Sequence, residues 1–81
     1  MNYIKIDMIY GYTIYKIKTI GHGEIYWDEY YETNEYIQIK AKLFDSKDKR
    51  DKEMKEEKTK YEFDYYNEFL ILPFETENDI N

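Results

Sequence analysis

Carboxylate and aromatic side chains alternate in two stretches of this chain, and neither stretch contains Lys or Arg. The stretches are residues 24–35 and 61–81, which we call the first and second acidic blocks. They hold eleven carboxylates, although the chain carries twelve Lys and Arg residues elsewhere. Carboxylates attract positive charge, and Tyr and Trp supply contact area at low entropic cost. The two blocks therefore predict a surface that binds a basic partner.

We expect the outward-facing side chains of both blocks to form this surface. Alternate residues of a strand lie about 6.6 Å apart, because the rise is about 3.3 Å per residue. That spacing is comparable to the spacing of phosphates along one nucleic-acid strand, so two such rows on one face would present a double line of negative charge. The predicted partner-binding residues are Glu24, Tyr26, Asp28, Tyr30, Glu32, Glu62, Asp64, Tyr66 and Glu68.

Side chains suited to catalysis or to metal binding are few. A nucleophile needs an adjacent base, and the only serine, Ser46, lies in the most polar segment. His22 lies between two glycines, which is typical of a turn. The chain has no cysteine, no Gly-rich phosphate loop and no plausible zinc ligand set. We therefore predict a protein that is not an enzyme and that uses no metal and no cofactor.

Alternating apolar and polar residues predict strands through most of the chain. Gly11 predicts a tight turn that makes a hairpin of residues 3–20, and residues 33–35 predict another turn. The apolar run 69–74 favours a central strand, which Pro73 ends or places at an edge. The predicted strands are 3–10, 12–20, 24–31, 36–44, 61–66 and 69–74. Within 36–44, the pattern directs Ile37, Ile39, Ala41 and Leu43 inward and Gln38, Lys40 and Lys42 outward.

Residues 45–60 interrupt this pattern as a charged excursion in which Met54 is the one apolar residue. A short exposed helix with Asp45 or Ser46 as its N-cap is compatible with this segment, and so is a mobile loop. Residues 75–81 form an acidic tail that we expect to fray. The chain is thus predicted to be one small domain over residues 1–81. Its predicted fold is mainly β, a small curled antiparallel sheet or barrel of five to six strands.

In size, acidity and skewed composition, the chain resembles small phage-encoded inhibitors of host nucleic-acid enzymes, such as anti-CRISPR and other DNA-mimic proteins. The resemblance implies an inhibitor that blocks a basic groove of a bacterial nucleic-acid-binding protein, such as a nuclease or defence effector. Electrostatic steering would speed its capture. We expect no direct contact with nucleic acid, because carboxylates repel phosphate. We also expect no membrane association and a location in the bacterial cytoplasm.

Other functions remain open on the sequence alone. A small β-structured interaction subunit would bind through the apolar strand 69–72 and would not depend on charge. A weaker alternative is a single-stranded nucleic-acid binder that uses a basic patch. The chain could also dimerise through a free sheet edge, and the acid could serve only to keep a Tyr-rich sheet soluble. The residues of the basic patch would be Lys16, Lys18, Lys40 and Lys42.

Overall fold

The computed structural model describes residues 5–24 and 29–80, and these ranges form three strands and one helix. In chain order they are β1 (Lys5–His22), β2 (Tyr31–Phe44), α1 (Lys47–Glu62) and β3 (Glu68–Ile80). The strands form one antiparallel sheet in the order β2-β1-β3. The predicted mainly β character is confirmed. The predicted barrel of five to six strands is wrong, because the sheet is open and has two outer strands.

β1 is one continuous strand, although the sequence predicted a hairpin with its turn at Gly11. Gly11 lies in the middle of β1 and pairs with Leu43 on one side and with Phe74 on the other. The ring of Phe74 occupies the space where a side chain at position 11 would lie. A glycine within a strand often marks such a close approach. Gly11 therefore serves close packing against Phe74 and does not form the predicted turn.

The two outer strands overlap only along the middle of β1. Residues 10–17 of β1 pair with both neighbours, residues 5–9 pair only with β3, and residues 18–22 pair only with β2. The sheet is therefore three-stranded at its centre and two-stranded at each end. This staggering makes the molecule long and flat, with extents of 71 × 29 × 14 Å.

α1 lies across one face of the sheet, which we call the helix face. Residues directly opposite each other in antiparallel strands share a face, and neighbours along a strand alternate. Tyr12 and Ile14 lie on the helix face and are completely buried. We call the other face the open face. At its centre are Gly11, Thr13, Tyr15 and Ile17 from β1, Tyr36, Gln38, Ala41 and Leu43 from β2, and Leu70, Leu72 and Phe74 from β3.

A bulge in β2 changes which of its side chains share a face. Ile14 pairs with Lys40 and Tyr15 pairs with Gln38, so Ile39 is an extra residue on β2. One extra residue reverses the alternation beyond it. The predicted common inward face is therefore wrong. Its residues divide between the two faces: Ala41 and Leu43 lie on the open face, Ile37 lies on the helix face, and Ile39 lies at the bulge.

The charged excursion is helical from Lys47, so the predicted helix is confirmed and the predicted mobile loop is wrong. Ser46 is the N-cap of α1, and its Oγ accepts a hydrogen bond from the Lys49 N–H at 3.5 Å. A side chain that caps in this way satisfies a backbone donor that would otherwise lack a partner. The predicted strand over residues 61–66 is wrong, because Tyr61 and Glu62 end the helix and a turn follows.

Three further expectations are corrected by the strand boundaries. Residues 33–35, predicted as a turn, lie inside β2. The apolar run 69–74 belongs to an outer strand and not to a central one, and Pro73 lies at the sheet edge, one of the two placements predicted for it. β3 continues to Ile80, where the sequence predicted a frayed tail. The predicted strand 24–31 lies partly outside the described residues, and of its described positions only Tyr31 is in a strand.

Candidate protein-binding surfaces

The predicted partner-binding residues do not assemble into two adjacent carboxylate rows. Glu32 pairs with Gly21 and Glu68 pairs with Ile17, so both lie on the open face but on opposite outer strands. Four residues along β1 and two strand spacings separate their Cα atoms by roughly 16 Å. Glu62 ends α1, on the other side of the sheet. Two further predicted residues, Tyr26 and Asp28, lie outside the described part of the chain.

Asp64 has a structural role in the turn between α1 and β3. Its Oδ1 accepts the N–H groups of Tyr66 at 2.9 Å and Asn67 at 3.0 Å, and the Asn67 side chain donates to both carboxylate oxygens. The Asn67 side chain, followed by the Tyr66 N–H, holds the pKa of Asp64 below its ordinary value. Such hydrogen bonds are typical of an Asx-turn. The turn leaves the Tyr66 side chain 96% exposed.

Exposed acidic and aromatic side chains gather at one end of the sheet, where β2 begins. We call this region the acidic end; its described residues are Glu24, Glu29, Tyr30, Tyr31, Glu32 and Glu35, all exposed. Tyr30 Oη donates to Glu32 Oε1 at 2.9 Å, and this bond raises the pKa of Tyr30. His22 stacks on Tyr31 with ring centroids 4.7 Å apart, and its Nε2 lies 2.8 Å from Thr33 Oγ1.

α1 packs on the helix face through a buried arginine. Arg50 is 3% exposed, and its Nη1 donates to the carbonyl oxygens of Gly11 at 3.0 Å and Phe74 at 3.1 Å. Its Nε donates to Asp51 Oδ1 at 2.7 Å, and its Nη2 lies 3.8 Å from Glu75 Oε1. A buried charge is costly unless it is paired and hydrogen-bonded. Arg50 meets this requirement and ties α1 to β1 and β3.

Two glutamates continue the attachment of α1 further along the helix face. Glu53 accepts hydrogen bonds from Tyr12 Oη at 3.0 Å and from Lys42 Nζ, and Glu57 accepts one from Lys40 Nζ at 3.0 Å. The Lys42 ammonium is the main cause of a lowered pKa at Glu53. Burial is the main cause of a raised pKa at Tyr12. Lys40 and Lys42 are thus paired with α1 and do not form the predicted free basic patch.

The centre of the open face is apolar and uncovered. Tyr15, Tyr36, Leu70 and Leu72 line a shallow cleft of about 370 Å³. Leu72 is 46% exposed and Leu43 is 59% exposed. No helix or strand of the described chain packs on this face, because α1 lies on the other one. From Gly11 to Tyr15 along β1, the open-face residues of β1 and their partners on β2 and β3 include no charged side chain.

The sequence indicated only part of this open face. The apolar strand 69–72 was predicted as a binding element. Tyr36 and Leu43 were missed as its neighbours. The bulge at Ile39 brings them to the same face, and no residue type in β2 marks that bulge.

Comparison with protein-family models, curated proteins and solved structures finds no match to this chain. Among residues 5–24 and 29–80, no group of three His, Cys, Asp or Glu side chains is placed to hold a metal ion. Over the same residues, no helix combines the length and the apolar character that crossing a bilayer requires. The surfaces described above are therefore the features from which a function can be argued.

Proposed function

We propose that this chain is a non-enzymatic protein-binding module whose docking surface is the open face. The observation that carries this proposal is the uncharged, apolar and uncovered centre of that face. Soluble monomers seldom expose contiguous apolar patches of more than a few hundred Å², and larger patches mark interaction sites. The proposal follows the predicted interaction-subunit alternative and enlarges its binding element from one strand to all three.

The exposed side chains of the open face supply both affinity and geometry for docking. Full burial of a large apolar side chain contributes about 1.5–3 kcal/mol, so each half-exposed residue adds on the order of 1 kcal/mol when covered. Leu43, Leu72 and Tyr36 are such residues. Tyr15 and Tyr36 add rigid aromatic surface beside them. A twisted sheet face of this kind accepts another sheet at a spacing of about 10 Å.

The proposal is tested by retention experiments with an affinity-tagged chain in bacterial lysate that also contains an untagged copy. We expect Leu72→Lys to abolish retention of bound protein, because it places a charge in the apolar centre. Ile37→Lys is the matched control, since Ile37 is 44% exposed and lies on the helix face. Retention that persists in Leu72→Lys, or that is lost equally in both variants, contradicts the proposal.

A second candidate function is supported by the acidic end. It is an inhibitor, phage-encoded and of the anti-CRISPR or other anti-host-defence type, whose exposed carboxylates and tyrosines enter a basic groove of a nucleic-acid-binding protein. The supporting observation is that Glu24, Glu29, Glu32 and Glu35 are all exposed beside Tyr30 and Tyr31. Such a complex would rely on long-range attraction, which dissolved salt screens.

Salt and charge reversal distinguish the two candidates. For the acidic end, we expect the double variant Glu32→Lys/Glu35→Lys to release the partner, and retention to fall between about 0.1 M and 1 M salt. The matched control is Glu56→Lys/Glu77→Lys, which makes the same charge change at exposed sites elsewhere. Equal retention by the two double variants at both salt concentrations would exclude the mimic function.

A further inference from the structure

The described chain has an unusually small interior for its length. Tyr12 and Ile14 are its two fully buried hydrophobic side chains. The radius of gyration is 18.8 Å, whereas a compact domain of 81 residues has a value of about 12 Å. Domains normally bury each apolar sheet face against a second layer. α1 supplies that layer on the helix face, and nothing in the described residues supplies it on the open face.

We propose that the open face packs against the open face of a second copy of this chain. The product is an isologous dimer with two-fold symmetry, in which two sheets enclose one shared apolar layer. The inference rests on the proposed function, because it names the occupant of the same docking surface. A second copy offers a sheet of the same twist with an apolar centre at the same position.

The charge distribution permits this pairing despite a net charge of −6 on each chain. Like charges placed opposite each other across an interface cost several kcal/mol. The part of the open face between Gly11 and Tyr15 contributes no charge. The described carboxylates of this face flank it: Glu32 and Glu68 lie toward the acidic end, and Asp7 lies toward the other end. When two copies pair with their strands antiparallel, the two acidic ends lie at opposite ends of the dimer. At the centre of the dimer, the contact therefore brings uncharged residues together.

The dimensions of the sheet are sufficient for a stable dimer. Extents of 71 and 29 Å give the flat molecule an outline of roughly 2,000 Å². A standard protein interface buries about 800 Å² on each partner, so less than half of this outline is required. The apolar centre spans three strands, and the aromatic rings of Tyr15, Tyr36 and Phe74 lie within it. Rings of this kind dominate interface energetics when they are buried.

Sedimentation velocity of the full chain over a wide concentration range tests the dimer. We expect the wild type to sediment with twice the chain mass of 10.1 kDa. Leu72→Lys should sediment as a monomer, and the matched helix-face variant Ile37→Lys as a dimer. Leu43→Lys is a second, more peripheral open-face variant, which guards against loss of folding in Leu72→Lys. Far-UV circular dichroism confirms that each variant keeps its helix and strands.

Any other sedimentation result overturns the dimer. The retention experiment with tagged chain then shows whether the open face still binds a different protein, as the proposed function requires. A wild type that is monomeric at every concentration overturns the dimer. Retention of a different protein that depends on Leu72 would then still support the open face as a docking surface. A dimer that persists in Leu72→Lys and Leu43→Lys also overturns the inference, and it points to pairing of free strand edges instead.

Discussion

Arg50 is the single side chain on which the attachment of α1 depends most. It is the one buried charged residue of the described chain, and it reaches carbonyl oxygens on both β1 and β3. Its guanidinium fork offers several donors in a fixed geometry, which a lysine does not reproduce. The sequence placed this residue in an exposed helix or loop, because position 50 is surrounded by charged residues.

We expect Arg50→Ala to lower the free energy of unfolding by about 2–4 kcal/mol, because two carbonyls and two nearby carboxylates lose their partner. Arg50→Lys should restore only part of this loss. Urea denaturation followed by circular dichroism measures both. The control is Lys49→Ala, whose pair with Asp45 is exposed and should contribute less than about 1 kcal/mol. Equal effects at positions 49 and 50 would contradict the role assigned to Arg50.

The polar contacts of α1 also predict how stability depends on pH. The pKa of Glu53 is lowered, chiefly by Lys42, so its contribution is complete above the ordinary value of 4.5 and is lost as the pH falls through the lowered pKa. The pKa values of Tyr12, through burial, and of Lys40, through Glu57, are raised. Their contributions are present below pH 10 and are lost as the pH rises further.

Urea denaturation at a series of pH values measures these contributions. The free energy of unfolding of the wild type should be greatest between pH 4.5 and pH 10 and should decline below pH 4.5. Glu53→Gln should show a shallower decline on the acid side, because it removes one of the carboxylates with a lowered pKa. An acid-side slope that is unchanged in Glu53→Gln would show that this carboxylate is not coupled to folding.

At the scale of elements, α1 has a sheet-facing side that hydrophobicity does not reveal. Its less exposed residues follow helical spacing, but most of them are charged: they are Arg50, Glu53, Met54, Glu57 and Tyr61. Patterns of apolar residues define an amphipathic helix, and this helix has almost none. The sequence therefore predicted an N-cap at Asp45 or Ser46, of which Ser46 is the one observed, but it did not predict the packing surface. Charge complementarity with Lys40 and Lys42 on β2 replaces apolar packing.

The strands show the same division between local and long-range information. Alternation within residues 36–44 correctly predicted a strand, because strand preference is local. The predicted hairpin at Gly11 was wrong. The glycine is required there because the ring of Phe74, more than sixty residues away in sequence, occupies the space of a side chain. The prediction that the apolar residues of β2 share one face was wrong, because a bulge has no reliable local signal. Of the candidate site, strand 69–72 was predictable, whereas its neighbours depended on these long-range pairings.

Packing between Gly11 and Phe74 gives a prediction at this scale. We expect Gly11→Ala to cost about 1–3 kcal/mol, because the new Cβ overlaps the ring and forces it to move. In the double variant Gly11→Ala/Phe74→Leu, the alanine should cost less, since leucine has no ring at that place. A double-mutant cycle in urea measures this coupling. Additive effects would mean that the ring does not lie over position 11.

At the scale of the whole molecule, the two faces have different characters. The helix face carries α1 and its ion pairs, whereas the open face is apolar at its centre and carries carboxylates toward both ends. Staggered outer strands spread the sheet over 71 Å, so a large area faces outward for the mass of the chain. This shape explains how a short chain can offer a docking surface of ordinary interface size.

The most direct measurement of docking on the open face uses the absence of cysteine from the chain. Single cysteines are introduced by Ala41→Cys on the open face and by Glu56→Cys on α1, both at exposed positions. Maleimide labelling rates are then compared between dilute chain and chain with its docked protein. We predict strong slowing at position 41 and no change at position 56. Equally fast labelling at position 41 in both states would contradict docking through the open face.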